Sequence, residues 1–410
     1  MIGKFRKLSR LTKPILEVVS VYLLLPFAYI PQGLTHFFGR LLGRLSYHVI
    51  IKWRKRTLSN LSLATKLNLN EKELIKVAIA SFENLGILFF EYPKMIFRKN
   101  FLPVRCENPE YAEQLIKKNK GVIFFCGHQA NWELLFLEGT SRMPGVAIGR
   151  PIKQKSLYNR IIKMREKYGG VVIPPKKAIK EGLRALKKGK FLGIVGDQGM
   201  PESDFSAPFL GRRAFSTTAP ALLSIKTKSP LIVATIRREN KSYVIHYSDP
   251  VCETQDPNKL MEKALQEFEK SILAHPDQWL WTHNRWKQET PVNVLYRYRH
   301  DSILIIVDKP FDDLKVFRKI YPRAFITLLS REPFEEFDTI LYKEDKELFL
   351  KSYKYKLVIN LTSINLKRHF LKKAAFEVLS SDDLIKRSGG SFSFEERVIR
   401  ALCRRGSLWS

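Results

Sequence analysis

Several common sequence features are scarce or missing in this chain, and each absence excludes a class of protein. Cysteine occurs four times in 410 residues and never as a CxxC pair, so neither a disulfide framework nor a structural zinc site is indicated. No G-x-G-x-x-G or G-x4-G-K-[ST] loop is present to cradle a nucleotide. No uninterrupted apolar run reaches the roughly 20 residues that a membrane-spanning helix needs.

Acidic residues are also scarce beside basic ones. The chain has 71 Lys and Arg against 40 Asp and Glu, a net charge of +31, which calls for a polyanionic partner such as nucleic acid, anionic lipid or an acidic protein. Residues 301–410 carry a net charge of only +5, which leaves +26 for residues 1–300. No RNP-like or zinc motif accompanies the charge, so we expect no nucleic-acid partner.

The first 60 residues predict membrane-anchoring or interfacial helices. Residues 15–31 are mostly apolar but contain Glu17 and Pro26, and residues 34–51 form a second, glycine-containing apolar run. Cations and aromatic side chains beside such helices are typical of proteins seated at a membrane interface. A pair of buried helices in a soluble protein is the alternative.

The body of the chain alternates between strand-like and helix-like runs. Predicted strands lie at 121–126, 145–149, 171–173, 191–196, 231–238 and 243–248, and predicted helices at 132–139, 156–170, 176–189 and 259–273. This alternation predicts an α/β fold. Beyond Pro291, further predicted strands at 301–308, 324–330, 338–342 and 355–361 indicate a second, smaller α/β unit. The chain is therefore divided into residues 1–60, 61–292 and 293–410.

The strongest chemical signal is the stretch GHQANWE at residues 127–133. His128 falls in a predicted strand-to-helix turn and Glu133 in the first turn of the helix. Residues five apart on one helix point about 140° apart, so the two can meet only because His128 precedes the helix. We predict that Glu133 pairs with one ring nitrogen while the other takes a proton from a hydroxyl. The pair alone leaves open a merely structural histidine.

The motifs around this stretch resemble the late acyltransferases of lipid A biosynthesis, the lauroyl/myristoyl transferase family with an H-x4-E or H-x4-D motif. The resemblance runs from about residue 10 to about residue 290. Besides the H-x4-E pair it rests on GRP at 149–151, DQG at 197–199, PFLGRRAFSTTAP at 208–220 and WLWTHNRWK at 279–287. It implies an acyltransferase α/β core, O-acyl transfer, and neither a metal nor an organic cofactor.

The resemblance also assigns functional residues. Catalytic roles fall to His128, Glu133, Arg165 and Asp197. The guanidinium of Arg165 could bind a phosphate or ester oxygen, and Asp197 follows a predicted strand, at a carboxyl end where α/β sites form. We add Arg150 and Arg212 as candidates for binding an anionic headgroup of the substrate. Surface arginines and a turn-capping aspartate are the alternatives.

The expected reaction transfers a fatty acyl group from acyl carrier protein to a hydroxyl of a phosphorylated lipid A precursor. The expected place is the inner membrane, with the catalytic body on the cytoplasmic face. Another glycolipid or a lysophospholipid acceptor is the enzymatic alternative, and a basic membrane-surface binding protein is the non-enzymatic one. Residues 293–410 have no counterpart in the usual family member. Within them, the segment YKLVINLTSINLKRHFLKKAAF at 355–376 looks like part of the N-terminal Rossmann-like half of lipopolysaccharide heptosyltransferases. We expect residues 293–410 to form an accessory α/β domain of unknown role.

Overall fold

Fourteen strands and thirteen α-helices lie in the part of the chain that the computed structural model describes, residues 25–98, 103–152, 154–251 and 254–409. The strands are β1 Val104–Glu107, β2 Val122–Cys126, β3 Gly145–Ile148, β4 Val171–Ile173, β5 Phe191–Val195, β6 Ser206–Phe209, β7 Arg212–Phe215, β8 Leu231–Glu239, β9 Ser242–Tyr247, β10 Ser302–Ile306, β11 Phe325–Ser330, β12 Asp338–Leu341, β13 Leu357–Asn360 and β14 Glu377–Ser380. The helices are α1 Gln32–Val49, α2 Ile51–Leu63, α3 Glu71–Phe97, α4 Glu110–Lys117, α5 Glu133–Arg142, α6 Lys155–Arg165, α7 Ala178–Lys187, α8 Ala219–Thr227, α9 Pro257–Ala274, α10 Val316–Ile320, α11 Lys367–Lys372, α12 Ser381–Ser388 and α13 Phe394–Leu402.

The chain divides into two units, and each draws on three segments. Unit 1 takes Met1–Ser46, Ile79–Asp197 and Thr217–Leu280, and unit 2 takes Tyr47–Ala78, Gln198–Ser216 and Trp281–Ser410. The boundaries predicted after residues 60 and 292 stay predictions, because spatial proximity does not report which segments fold independently.

Unit 1 is built around a seven-stranded sheet with the strand order β1-β9-β8-β2-β5-β3-β4. All neighbours are parallel except β8 and β9, which pair antiparallel. Every residue of β2 is buried, as its wholly apolar sequence VIFFC requires of a central strand covered on both faces. The predicted α/β character of this region is confirmed.

Unit 2 contains a five-stranded parallel sheet and a two-stranded hairpin. The sheet has the order β12-β11-β10-β13-β14, so the first strand lies in the centre and the chain crosses back from β12 at one edge to β13 beside β10. All five residues of β10 and all four of β13 are buried. The antiparallel hairpin joins β6 and β7. The α/β character expected beyond residue 293 is present, with every strand pair of this sheet parallel.

The sequence patterns located ten of the fourteen described strands and missed four. The prediction at 171–173 coincides with β4, and the helix expected at 259–273 is α9. The patterns missed β1, which has no fully buried residue, and β14, in which two of the four residues are buried. They also missed the hairpin, where Pro208 and two arginines hide the strand signal.

The predicted apolar run at 34–51 corresponds to α1, which packs on α3 through glycines. A Cβ atom on Gly86 would lie 2.1 Å from the carbonyl oxygen of Gly39, and a Cβ on Gly39 would lie 2.5 Å from the Cα of Ile87. Both obstacles are backbone atoms, so neither contact can be relieved by a side-chain rotation. The absence of side chains at these positions is what lets the two helices approach so closely.

No helix among the described residues is both long enough and apolar enough to cross a membrane. The first ten residues of the predicted segment 15–31 lie outside the described residues. Helix α1 nevertheless leaves large apolar side chains exposed on one face. They are Leu34, Phe37, Phe38, Leu41 and Leu45, between 40% and 59% exposed.

We predict that Gly86→Ala destabilises the protein by about 1–3 kcal/mol, the range found for overpacking, because the new methyl group would meet the backbone of α1. The control is Gly33→Ala on α1, where a Cβ would meet only the flexible end of Lys241 at 3.6 Å. Alanine favours a helix over glycine by up to about 1 kcal/mol, so the control should be neutral or stabilising. Thermal and urea unfolding measure both variants, and equal stability of the two would contradict the close approach.

Candidate active site

The turn between β2 and α5 carries the GHQANWE stretch on a constrained backbone. Ala130 has a φ of 43°, in the left-handed region that alanine rarely adopts, and its amide donates to the carbonyl of Gln278 at 2.7 Å. A Cβ on Gly127 would lie 2.1 Å from the ring of Phe268. Such constraint is typical of functional turns, where the surrounding structure holds the strained residue in place.

His128 is held by Asp197, which follows the neighbouring strand. The ring Nδ1 lies 2.8 Å from Oδ1 of Asp197, and the backbone amide of His128 donates to Oδ2 at 2.8 Å. The indole of Trp279 also donates to Oδ2, at 2.8 Å. Strands β2 and β5 pair in parallel with Cys126 opposite Val195. Each functional residue therefore stands two positions past this last pair, at one edge of the sheet.

Glu133 forms a separate pair with Arg165. The guanidinium donates from Nε to Oε2 at 2.7 Å and from Nη2 to Oε1 at 2.6 Å. The hydroxyl of Tyr92 on α3 donates to Oε1 at 2.8 Å. With three donors the Glu133 carboxylate is well satisfied, although only 3% of it is exposed.

The predicted hydrogen bond between His128 and Glu133 is therefore wrong. Glu133 begins α5 and directs its carboxylate to Arg165 at the end of α6, while Nδ1 of His128 is taken by Asp197. The four residues predicted as catalytic all belong to unit 1, and they form two ion pairs rather than one.

Electrostatics tie the two pairs together. Burial lowers the pKa of His128, but the charge and hydrogen bond of Asp197, aided by Glu133, outweigh it and leave the pKa raised above 6.5. Burial raises the pKa of Asp197, yet His128 and the Trp279 indole bring it down to about 2. The pKa of Glu133 is lowered, because the bonds from Arg165 and Tyr92 exceed the opposing effect of burial. Both carboxylates are thus anionic at neutral pH.

A buried carboxylate beneath the turn fixes it from the other side. Glu91 of α3 accepts from Asn131 Nδ2 at 2.8 Å and from the hydroxyl of Tyr243 at 2.6 Å. Gln32 and His36 of α1 contact the same carboxylate, at 2.7 Å and 3.2 Å. Through Glu91 the turn is connected to both packed helices, and a network this well satisfied makes the site rigid.

The remaining predicted residues lie elsewhere. Arg150 is exposed just after β3, where its contact with a headgroup stays a prediction. Arg212 belongs to unit 2, with its guanidinium 4.7 Å from the centre of the Phe325 ring, and burial lowers its pKa. Its role with an anionic substrate also stays a prediction. Among the described residues, no three His, Cys, Asp or Glu side chains converge as a metal site would require.

Sequence reasoning missed two residues that hold the carboxylates. Trp279 is the first tryptophan of the WLWTHNRWK motif. The motif itself does not indicate that the Trp279 indole donates to Asp197. Tyr92 lies in a long amphipathic helix, where nothing in the local pattern separates it from a core aromatic. Only the fold brings either residue to the site.

Comparison with known proteins identifies the family of this chain. A family model described as bacterial lipid A biosynthesis acyltransferase matches residues 2–288. The chain belongs to that family. The resemblance read from the motifs is confirmed, and the chain is an acyltransferase of lipid A or a related glycolipid, which implies an acyl donor and a lipid acceptor.

Individual relatives of this acyltransferase are distant. The lipid A biosynthesis lauroyltransferase of Escherichia coli is 24% identical over 285 residues, which cover 66% of this chain and 90% of the relative. A phosphatidylinositol mannoside acyltransferase of Mycobacterium tuberculosis is 20% identical over 186 residues, 43% of this chain and 58% of that protein. The corresponding protein of Mycolicibacterium smegmatis is 19% identical over 223 residues, 52% and 72%.

The two ion pairs predict different pH profiles for two variants. With His128 as the predicted general base, the acidic limb of kcat/KM reports its pKa in the free enzyme, and the raised pKa places that limb above pH 6.5. Asp197→Asn removes the strongest charge that favours the imidazolium, so the limb should move to lower pH and the rate should fall about 10²- to 10⁴-fold. Glu133→Gln should move the limb less, because Glu133 is not bonded to the ring.

The measurement is a pH profile of acyl transfer for both variants, with unfolding curves to confirm that each is folded. A larger displacement of the limb by Glu133→Gln than by Asp197→Asn would restore the predicted His128–Glu133 pair and contradict the observed geometry.

Proposed function

We propose that the protein transfers a fatty acyl group from an acyl carrier protein thioester to a hydroxyl of a phosphorylated lipid A precursor. The observation that carries the proposal is the hydrogen bond that orients the His128 ring. Asp197 takes Nδ1 at 2.8 Å, so Nε2 is left to face a substrate. The imidazole is thereby fixed in one orientation, as in a Ser-His-Asp triad, with the acceptor's own hydroxyl in place of the serine.

In the proposed reaction, Nε2 removes the proton as the acceptor oxygen attacks the thioester carbonyl. The resulting tetrahedral intermediate collapses, the C–S bond breaks, and the imidazolium returns its proton to the departing thiolate. The products are an ester and the free thiol of the carrier. Asp197 stabilises the imidazolium in between, and its low pKa of about 2 keeps it anionic throughout. The raised pKa of His128 makes its ring a stronger base toward the acceptor hydroxyl.

Charge on the oxyanion can be met by two groups. The first turn of α5 presents backbone amides at the positive end of the helix dipole, directly after the turn that carries His128. Arg165 uses Nε and Nη2 for Glu133, and its remaining N–H donors, part of a side chain 21% exposed, can bind an ester or phosphate oxygen. In this proposal Glu133 acts on substrate through Arg165, as a positioning residue.

The charge of the chain suits both proposed reactants. An acyl carrier protein is acidic and a lipid A precursor carries phosphates, while residues 1–300 hold a net charge of +26. Attraction of this kind raises association rates and depends on salt. Arg150, exposed beside the catalytic strands, is our candidate for a headgroup phosphate.

Attachment to the cytoplasmic face of the inner membrane is part of the proposal. Helix α1 presents an apolar stripe at helical spacing, and its opposite face carries Gln32 and His36 to the network under the catalytic turn. Arg40 on the same helix is exposed. An apolar face flanked by cations fits an anionic bilayer surface. It would hold the reaction centre close to lipid substrates.

A second candidate acceptor is a phosphatidylinositol mannoside or similar glycolipid. Three of the relatives are phosphatidylinositol mannoside acyltransferases, and the His128–Asp197 arrangement would serve either hydroxyl. The higher identity and coverage of the lauroyltransferase favour lipid A.

We predict that His128→Ala lowers the rate of acyl transfer about 10²- to 10⁴-fold, the usual contribution of a general base, while leaving the fold intact. The control is His275→Ala, since His275 ends α9 and caps it through its backbone amide. The assay offers acyl carrier protein donors of several chain lengths to a tetra-acylated lipid A precursor, and separately to a phosphatidylinositol mannoside. Full activity of His128→Ala would exclude the base mechanism, and transfer only to the mannoside would select the second acceptor.

We also predict that the double variant Leu41→Glu, Leu45→Glu weakens binding to anionic vesicles at least about tenfold, because each leucine contributes on the order of 1.5–3 kcal/mol when buried. The matched control is the double variant Ile179→Glu, Leu222→Glu, which adds the same charge at exposed apolar positions of α7 and α8. Vesicle co-sedimentation at two salt concentrations measures the effect. Equal losses in both variants would argue against a specific role of α1.

A further inference from the structure

We propose that unit 2 contains a second ligand site, a cationic cavity that binds a phosphorylated saccharide. The cavity has a volume of about 990 Å³ and is lined only by residues of unit 2. This is the upper end of the usual range for small-molecule sites, about 300–1,000 Å³, and suits one or two sugar rings with a phosphate. The site is independent of the proposed acyl-transfer chemistry.

The cavity lies at the amino ends of the unit 2 strands. Asp301 immediately precedes β10, Lys356 precedes β13, and Phe376 precedes β14. In open α/β sheets, nucleotides and related ligands normally bind at the carboxyl ends of the strands. The cavity therefore lies at the opposite end of the sheet from the crevice in which such folds usually bind ligands.

Cations dominate the lining. Seven Lys or Arg residues face four Asp or Glu residues around the cavity. Three of the four carboxylates already have partners: Asp301 contacts Lys356 at 2.7 Å, Glu289 lies 3.8 Å from Arg323, and Glu377 lies 4.0 Å from Arg387. Lys52 and Lys287 are exposed and form no ion pair in the described part of the chain. Unpaired lysines converging on a concave surface are what a phosphate group requires.

The floor of the cavity is a preorganised polar cluster. Lys356 is only 2% exposed, and its ammonium bonds to both carboxylate oxygens of Asp301, at 2.7 Å and 3.0 Å, and to Asn284 Oδ1 at 2.6 Å. Asn284 closes the triad by donating to Asp301 at 2.6 Å. Because these charges neutralise one another, the lysines above them remain available to an anion.

Beside this floor, His300 has a buried ring nitrogen, Nε2, without a hydrogen-bond partner among the described residues. The ring stacks on Phe376 with centroids 5.4 Å apart. Burial, opposed by Asp301 and reinforced by Lys356, lowers the pKa of His300 to about 4, so the ring is neutral near pH 7. A neutral imidazole with an unused nitrogen is suited to a ligand hydroxyl.

Aromatic side chains at the rim indicate that the ligand also has a sugar face. Tyr296 and Trp409 line the cavity and are 75% and 67% exposed. Flat aromatic rings with a polar edge bind the apolar C–H face of a pyranose while leaving its hydroxyls to hydrogen-bond donors. Cations, an unused imidazole nitrogen and rim aromatics together specify a phosphorylated sugar more closely than a bare anion.

Calorimetric titration of the full chain with glucose 6-phosphate, glucose and inorganic phosphate tests the proposal. We expect glucose 6-phosphate to bind at least tenfold more tightly than either of the others. In the double variant Lys52→Gln, Lys287→Gln its affinity should fall at least tenfold. The matched control is Lys351→Gln, Lys386→Gln, which removes the same charge from exposed positions of unit 2 outside the cavity and should leave the affinity unchanged.

The outcomes separate the components of the proposal. Absence of binding at millimolar sugar phosphate, or equal affinity in the two double variants, overturns the site. Equal affinity for inorganic phosphate and sugar phosphate overturns its saccharide part. A final arm adds phosphatidylcholine vesicles with and without lipid A: displacement of glucose 6-phosphate only by the lipid A vesicles supports a lipid-borne saccharide, and absence of displacement supports a soluble one.

Discussion

The hydrogen bonds between His128 and Asp197 depend on one feature of the sheet, the parallel pairing of β2 with β5. With Cys126 opposite Val195, the chain leaves both strands in step, and the second residues past them, His128 and Asp197, lie side by side. Burying the Asp197 carboxylate costs several kcal/mol in desolvation. Three donors offset that cost: the His128 ring, the His128 amide and the Trp279 indole. The active imidazole is thus oriented by main-chain register rather than by a flexible side chain.

Glu133 and Arg165 are brought together by two helices rather than by strand register. Their bidentate pair links the start of α5 to the end of α6, and Tyr92 completes the carboxylate's partners from α3. An H-x4-E motif is usually read as a two-residue unit. Here the glutamate influences the histidine only through space, by adding negative charge that helps raise the pKa of His128. Its direct contact is with the Arg165 guanidinium, so the two residues of the motif belong to two neighbouring ion pairs.

The sequence made the components of the site predictable but not their partners. Apolar strands such as VIFFC and FLGIV can be recognised from their composition. The residues directly after them are candidate site residues, because sites in α/β sheets form at the carboxyl ends of the strands. Which two strands are neighbours is a property of the whole sheet, however. His128 and Asp197 are 69 positions apart, and no local pattern reveals that β5 lies next to β2. Proximity in sequence therefore favoured Glu133 as the partner of His128, whereas in the tertiary fold the partner is Asp197. Trp279 and Glu91 were hidden for the same reason.

The polar floor of unit 2 follows from the energetics of buried charge. Replacing a buried ion pair by well-packed apolar residues is often neutral or stabilising, so such a pair adds little to stability by itself. The Lys356–Asp301 pair is almost fully buried and is closed by Asn284, directly before two strands whose own residues are all buried and mostly apolar. An apolar residue at these positions would have extended the core. The triad of Lys356, Asp301 and Asn284 instead keeps that end of the sheet polar and rigid beneath the cavity. Recognition of a polar ligand requires such a surface, whereas folding alone does not.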